Sequence, residues 1–253
     1  MKKRHFTDNY IIDPTHPVTV TMIGCGGTGS QVLSALAKMN YALLQLDHPG
    51  LLVTAYDCDV VTSANIGRQL FCESDIGLNK ATVLISRLNR FFGTTWIDMP
   101  CEYNDRLANI IVTCVDNVKT RIEISEYLNK MGKSRWNPYM APYYWLDFGN
   151  TQTSGQVVLG SVIDIEQPKS KKFQTVAKLP LVTDRFDLSG VNEKDSGPSC
   201  SLAEALNKQD LFINSTLANL GCNLLWKLFR EFGVDYAGLY LNLLTMNVNP
   251  IKL

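Results

Sequence analysis

"MIGCGGTGSQ", Met22–Gln31, carries four glycines in the six positions from Gly24 to Gly29. It follows the apolar, β-branched stretch "VTVT" and precedes "VLSALAKM", whose apolar residues recur at helical spacing. Gly24, Gly26 and Gly29 fit G-x-G-x-x-G between a strand and a helix, with Gly27 beside them. Such glycines permit a tight turn and let a phosphate approach the backbone, while the helix N-terminus offers N–H groups and the positive end of its dipole. The glycines alone also admit a purely structural turn.

Outward from this loop the chain alternates strand-like and helix-like segments. "VTVTMIG", "GLLVTAYD", "TTWIDMPC", "ANIIVTCVD" and "YYWLDFGN" read as strands. "SQVLSALAKMNYALLQL", "NKATVLISRLNRFF" and "VKTRIEISEYLNKMG" read as the helices between them. That order predicts an α/β, Rossmann-like fold, with a mainly parallel sheet, right-handed crossovers and helices on both faces. "LAEALNKQDLFINSTLANLGCNLLWKLFREFG" predicts at least one long helix, and "AGLYLNLLTMNVNPI" a closing strand pair. Residues 167–199, with "KSKK", scattered Pro and Gly, and "VNEKDSGPS", read as a long, exposed crossing loop. No composition break suggests a linker, so residues 1–253 read as a single domain.

The 253 residues have zero formal net charge and 45% apolar residues. No global field favours nucleic acid or an anionic membrane. The start, "MKKRHFTDNY", lacks the apolar stretch of a secretory signal, and no run reaches the roughly 20 apolar residues a membrane span needs. A soluble, cytoplasmic protein is expected. The seven cysteines are irregularly spaced with no C-x-x-C, so neither a structural zinc site nor a disulfide framework is expected. Most should act as small buried hydrophobes.

Asp57 ends the second predicted strand, where a carboxylate can accept hydrogen bonds from ribose hydroxyls. An NAD-dependent oxidoreductase would look the same to this point. The next residues separate the two. Ser63, Asn65, Arg68 and Gln69 form a tight polar run, and Lys80 opens the next helix. Cations and amides after a phosphate loop suit a triphosphate whose charge is redistributed during reaction. Asp116 and Asn117 follow the strand "ANIIVT", at the crevice edge where a carboxylate suits Mg²⁺. Taken singly, Asn65 could be a turn residue, Lys80 a solvated helix residue and Asp116 a helix cap.

"GCGGTGS", "DCDVVTSANIGRQ", "GLNK", "CVDN" and "LDFGNTQTSGQV" occur in an order that resembles the ThiF/MoeB and ubiquitin-activating-enzyme superfamily, from about Val18 to Gly160. The third quarter, "DSGPSCSLAEALNKQDLFINSTLANL", looks most like the ThiF-family proteins of bacterial PRTRC gene clusters. The resemblance implies ATP- and Mg²⁺-dependent adenylation of the C-terminal carboxylate of a small ubiquitin-like or sulfur-carrier protein. It also admits a conjugating-enzyme-like partner and a homodimer. A non-catalytic partner subunit is the same-family alternative, and an NAD-binding oxidoreductase the alternative of another class.

By resemblance, Asp57 binds ribose and Gly24–Gly29, Asn65, Arg68 and Lys80 contact phosphates. Arg68 and Lys80 stabilise the transition state, and Gln69 supports Arg68. Asp116 holds Mg²⁺, with Asp59 a second candidate. Relatives often supply a further arginine from an N-terminal segment of the partner subunit, and Arg4 in "KKRHF" is the residue here that could serve. Many relatives carry paired zinc cysteines, which this chain lacks. Cys200, in "GPSCSLAEAL" before a predicted helix, resembles the thioester cysteine of ubiquitin-activating enzymes. A thiolate at a helix N-terminus has a lowered pKa and can attack an acyl-adenylate.

Overall fold

The computed structural model describes residues 1–134, 136–188 and 209–253. In chain order the elements are β1 (Lys2–Phe6), α1 (Asn9–Ile12), β2 (Val18–Ile23), α2 (Gly27–Leu44), β3 (Leu51–Tyr56), α3 (Lys80–Phe92), β4 (Ile97–Met99), β5 (Ile110–Thr113) and α4 (Val118–Met131). They continue with β6 (Tyr144–Asn150), β7 (Ser154–Ser161), β8 (Phe173–Thr175), α5 (Val182–Arg185), α6 (Ile213–Arg230), β9 (Gly233–Val234), β10 (Tyr236–Asn242) and β11 (Asn247–Lys252).

The main sheet has eight strands in the order β11-β10-β7-β6-β5-β2-β3-β4. From β4 to β6 every pairing is parallel, and β7, β10 and β11 extend the sheet antiparallel. β2, β3 and β5 are near-continuous apolar runs because both their faces are covered. Right-handed crossovers require α2 and α3 on one face and α4 on the other. Accordingly, α2 packs against α3 and α6, whereas α4 packs against α5. One hydrophobic cluster runs through these layers from Ile11 to Ile251.

The chain steps from β2 outward to β3 and β4, then returns to β5 and steps the other way to β6. The C-terminal ends of β2 and β5 therefore flank a topological switch point, where an α/β sheet opens a crevice. The glycine loop follows β2, and the segment carrying Asp116 follows β5.

The N-terminal segment is a strand: β1 pairs with β8 and β9 in a second, three-stranded sheet. Two expectations need correction. The crossing segment is not an exposed loop in its first part. It contributes β8 and buries Leu179, Leu181 and Val182 within the core, because its apolar "LPLV" packs while Ser161 Oγ accepts the Leu179 N–H. Residues 189–199 lie outside the described residues. The cysteines are less uniformly buried than expected: Cys25 and Cys222 are interior, but Cys58 and Cys72 are exposed in the polar region after β3. β7, whose residues carry no strand assignment from the sequence, forms a hairpin with β6.

Candidate nucleotide site

Gly24 has φ +91°, and a methyl there would lie 2.8 Å from the Cys114 carbonyl oxygen. A side chain at this position would both strain the backbone and push β2 and β5 apart. Gly29 lies so close to the Gly24 carbonyl that any Cβ would overlap it, which seats α2 directly against the loop. Gly26 is different, since nothing lies within 4 Å of a Cβ placed there. It is also the N-cap of α2, with no side-chain cap bond. An 18-residue helix thus begins beside open space at Gly26, an arrangement suited to a phosphate.

Asp57 steadies this loop. One carboxylate oxygen accepts the Cys25 N–H at 2.6 Å and the other accepts the Asp59 N–H at 2.8 Å. Each oxygen retains a second acceptor direction for a ribose hydroxyl. Burial pushes the Asp57 carboxyl above its usual range, against these two N–H donors and the nearby Lys80.

Lys80 begins α3 after the cap Asn79, whose side chain accepts the Thr82 N–H. Its ammonium is 2.8 Å from Asp59 Oδ2; the Lys80 side chain is one-tenth exposed and that of Asp59 about two-thirds. Asp59, the second metal candidate, therefore serves in this structure as counter-ion to Lys80. Asn65 closes a one-turn 3₁₀ helix: its Oδ1 accepts from Thr62 N at 2.9 Å and Thr62 Oγ1 at 3.2 Å. Its side-chain NH₂ remains the donor end.

Arg68 stands beside the α2 N-terminus, where a methyl on Gly27 would be 3.0 Å from its Nη1. That Nη1 donates to Gln209 Oε1 at 2.6 Å. Its Nε is buried without a hydrogen-bond partner among the described residues. Burial lowers the pKa from the usual arginine value but leaves the charge in place, so this partly desolvated cation is well suited to an anion. The amide that bonds Arg68 is Gln209, which the sequence did not point to. Gln69 is itself buried, and its Oε1 has no partner among the described residues.

The sequence reading also missed an amide cluster around Arg68. Asn214, buried at the start of α6, accepts from Thr28 Oγ1 at 2.8 Å and from Asn150 Nδ2 at 3.4 Å. Its Nδ2 donates to Gln209 Oε1 at 3.3 Å. Asn150 lies in the quoted run "LDFGNTQTSGQV", but nothing in its spacing announced Asn214 or Gln209, which only the packing of α6 on α2 brings to the loop.

Asp116 is exposed between β5 and α4. The cap of α4 is Asn117, whose Oδ1 accepts the Thr120 N–H at 2.8 Å, so Asp116 is not used as a cap. Among the described residues no group of three or more His, Cys, Asp or Glu forms a preassembled metal cage. A single carboxylate at a nucleotide crevice nevertheless fits Mg²⁺, which usually shares one or two carboxylates with substrate phosphates.

Arg4 is not brought to this site within its own chain. Its guanidinium pairs with Asp235 at 2.9 Å and donates to the Glu231 carbonyl at 2.7 Å, just past the far end of α6 from Asn214. The intervening 18 residues span about 27 Å. Cys200 lies outside the described residues. Burial holds Cys25 and Cys114 as thiols and pushes Cys222 up to about 12, while Cys58 is raised by burial and then by Asp59 and Asp57. None of these four is an activated thiolate.

The sheet order and the glycine crevice define a Rossmann-like α/β protein. Residues 15–247 match the ThiF family, and the chain belongs to it. It is 24% identical over 214 residues to ubiquitin-like modifier-activating enzyme 5 of Branchiostoma floridae, covering 77% of this chain and 45% of that protein. The same enzyme of Xenopus laevis is 24% identical over 153 residues, covering 53% of this chain and 36% of the relative. The chain thus spans less than half the length of these relatives. Among solved structures, E. coli MccB with ATP is similar in fold, with a TM-score of 0.60 and 16% identity over 93% of this chain and 63% of MccB. The microcin C7 biosynthetic enzyme MccB with N-formylated MccA aligns with a TM-score of 0.59, 16% identity, and coverage of 93% and 64%. No described helix is long and apolar enough to cross a membrane.

Proposed function

We propose that this chain uses ATP to adenylate the C-terminal carboxylate of a small ubiquitin-like or sulfur-carrier protein. The observation that carries the reading is Arg68: a partly buried cation beside a helix N-terminus that has no side-chain cap, its Nε without a partner among the described residues, with Lys80 opening the next helix. A dinucleotide oxidoreductase has no use for that second cationic layer, whereas transfer at a triphosphate does. The relatives named as modifier-activating enzymes and the fold neighbour solved with ATP support the same class.

In the reaction, a carrier carboxylate oxygen bonds to the α-phosphorus. The bond from that phosphorus to the bridging oxygen breaks, and pyrophosphate leaves with the electron pair. The residues address one difficulty: an anion must approach a polyanion. Asp57 orients the ribose. The N–H groups of Gly26–Gly29 and Asn65 hold phosphates. Arg68 and Lys80 offset charge that builds on the leaving group, Lys80 turning from Asp59 to do so. Asp116 would hold Mg²⁺, which when bound would further neutralise phosphate charge. Where the activated carrier is passed to a conjugating-enzyme-like protein, the Cys200 sulfur bonds to the carrier's carbonyl carbon, the bond from that carbon to the AMP oxygen breaks, and AMP leaves with the electron pair. A homodimer, a cytoplasmic setting and a place among PRTRC-encoded proteins complete the reading.

ATP–pyrophosphate exchange in the presence of small carrier proteins ending in glycine tests it. Carrier-dependent exchange is expected, with tighter binding of ATP than of NAD. Preference for NAD, or no exchange with any such carrier, would end the adenylation reading.

A further inference from the structure

Arg121 was not a candidate on sequence, and the reaction above gives it no role. It lies on α4, one turn beyond the cap Asn117, with its side chain one-tenth exposed and its partner Asp147 almost wholly buried. Its Nε donates to both Asp147 oxygens, at 3.0 and 3.2 Å. Nη2 donates to the Val115 carbonyl at 2.6 Å and to the Phe148 carbonyl at 2.8 Å, and Nη1 reaches the Asn117 carbonyl at 3.4 Å. Asp147 is fixed in turn by Thr113 Oγ1 at 2.5 Å, and Thr113 by the Trp145 indole N–H at 2.8 Å.

Two of the three carbonyls under this guanidinium belong to the residues on either side of Asp116. The third belongs to β6, the neighbouring strand. The fork therefore ties a surface turn to the rigid sheet while leaving the Asp116 side chain outside, exposed. A buried ion pair is poor evidence for stability, since apolar replacement is often neutral or better. Here its geometry has another use: a planar five-donor group can hold several carbonyls in one arrangement, which lysine cannot.

We propose that Arg121, anchored by Asp147, is the positioning residue for Asp116, holding its backbone so that the carboxylate meets a nucleotide-bound divalent cation at the crevice. This rests on the adenylation reading above. Outer-shell partners of metal ligands commonly control affinity by 10–100-fold.

The test measures Mn²⁺ affinity by electron paramagnetic resonance in the presence of a non-hydrolysable ATP analogue, with metal-free analogue binding and thermal unfolding measured in parallel. Two variants are compared with the wild-type chain. Arg121→Met/Asp147→Leu removes both buried charges together, and Arg121→Lys keeps a cation that cannot span the carbonyls. Both are expected to weaken Mn²⁺ binding at least tenfold while metal-free nucleotide binding stays within about twofold. Wild-type Mn²⁺ affinity in a folded variant of either kind would overturn the positioning role and leave the adenylation reading intact. If the double variant fails to fold, Arg121→Lys decides alone. If Arg121→Lys also unfolds, the pair is structural and the proposal falls. A wild-type chain that binds the analogue but no Mn²⁺ would overturn the metal part of the adenylation reading, and this assignment with it.

Discussion

Arg4 and Arg68 are both half-buried arginines, and the chain completes them differently. Around Arg4, where β1 meets β8 and β9, hydrogen bonding is closed. Asp235 and the Glu231 carbonyl accept from the guanidinium, and Phe6 and Phe173 stack near it at 5.4 and 5.5 Å. His5 beside it has both ring nitrogens engaged, Nδ1 with the Val176 carbonyl and Nε2 with Tyr144 Oη. Around Arg68 the opposite holds: its Nε and Gln69 Oε1 are buried without partners among the described residues, α2 has no side-chain cap, and Asp116 is exposed. Leaving a buried polar group unpaired costs about 1–3 kcal/mol. Two such atoms, Arg68 Nε and Gln69 Oε1, belong to adjacent residues beside the start of α2, whereas the guanidinium of Arg4 is held by a carboxylate and a carbonyl.

The difference predicts which substitutions touch chemistry and which touch folding. The largest effect is expected from Asp116→Ala. Exchange should fall at least about a thousandfold, roughly 4 kcal/mol, with the melting temperature unchanged. A normal exchange rate would remove Asp116 from the metal role. Arg68→Ala should cost ~2.7–4 kcal/mol, two to three decades, mainly in kcat. If steady-state kinetics instead showed an unchanged kcat and only a raised KM, Arg68 would be a uniform nucleotide binder.

Arg4→Ala should do the reverse. It removes a charge-assisted pair and a carbonyl contact, lowering stability by about 1–3 kcal/mol in urea titrations, while exchange per folded molecule stays at the wild-type level. Exchange lost at unchanged stability would return Arg4 to the catalytic list and break the contrast.

His5 provides the smallest effect, seen as a pH dependence. Burial holds its pKa below the usual value, against the raising influence of the Val176 carbonyl. As pH falls, the unfolded chain therefore takes up the proton first. Stability is full above about pH 6.5 and declines below it, by at most about 1.4 kcal/mol per pH unit from this group. His48, also lowered by burial, adds to the same window. His5→Gln should flatten the decline measured by urea titration between roughly pH 5 and 8. An unchanged slope would show that His5 contributes nothing to it.

The parallel half of the sheet was legible because its signals are local. Apolar runs such as "VTVTMI" and "IIVT" read as buried strands, Asn79 and Gly93 bound α3, and the glycines fall where β2 ends. β1 and β8 were not legible. They are short, and each depends on a partner about 170 residues away, as in the pairing of Lys2 with Phe173. The lysine-rich start of β1 and the three residues of β8, which follow "KSKK", carry no strand signal until that pairing is known.

The same division runs through the site. Residue order by itself singled out the glycine loop, Asp57 and the series Asn65, Arg68, Lys80 and Asp116, since each sits at a fixed offset from a strand or helix end. Only the tertiary structure decided which partners these side chains take. It put Lys80 on Asp59, gave Arg68 the Gln209 amide through the packing of α6 on α2, and used Arg121 to tie the Asp116 turn to β6. These partners lie 21, 141 and 27 residues apart in the chain. Sequence spacing can specify which groups reach a strand end, but hydrogen-bond partners at such separations are chosen by the burial of the elements that carry them.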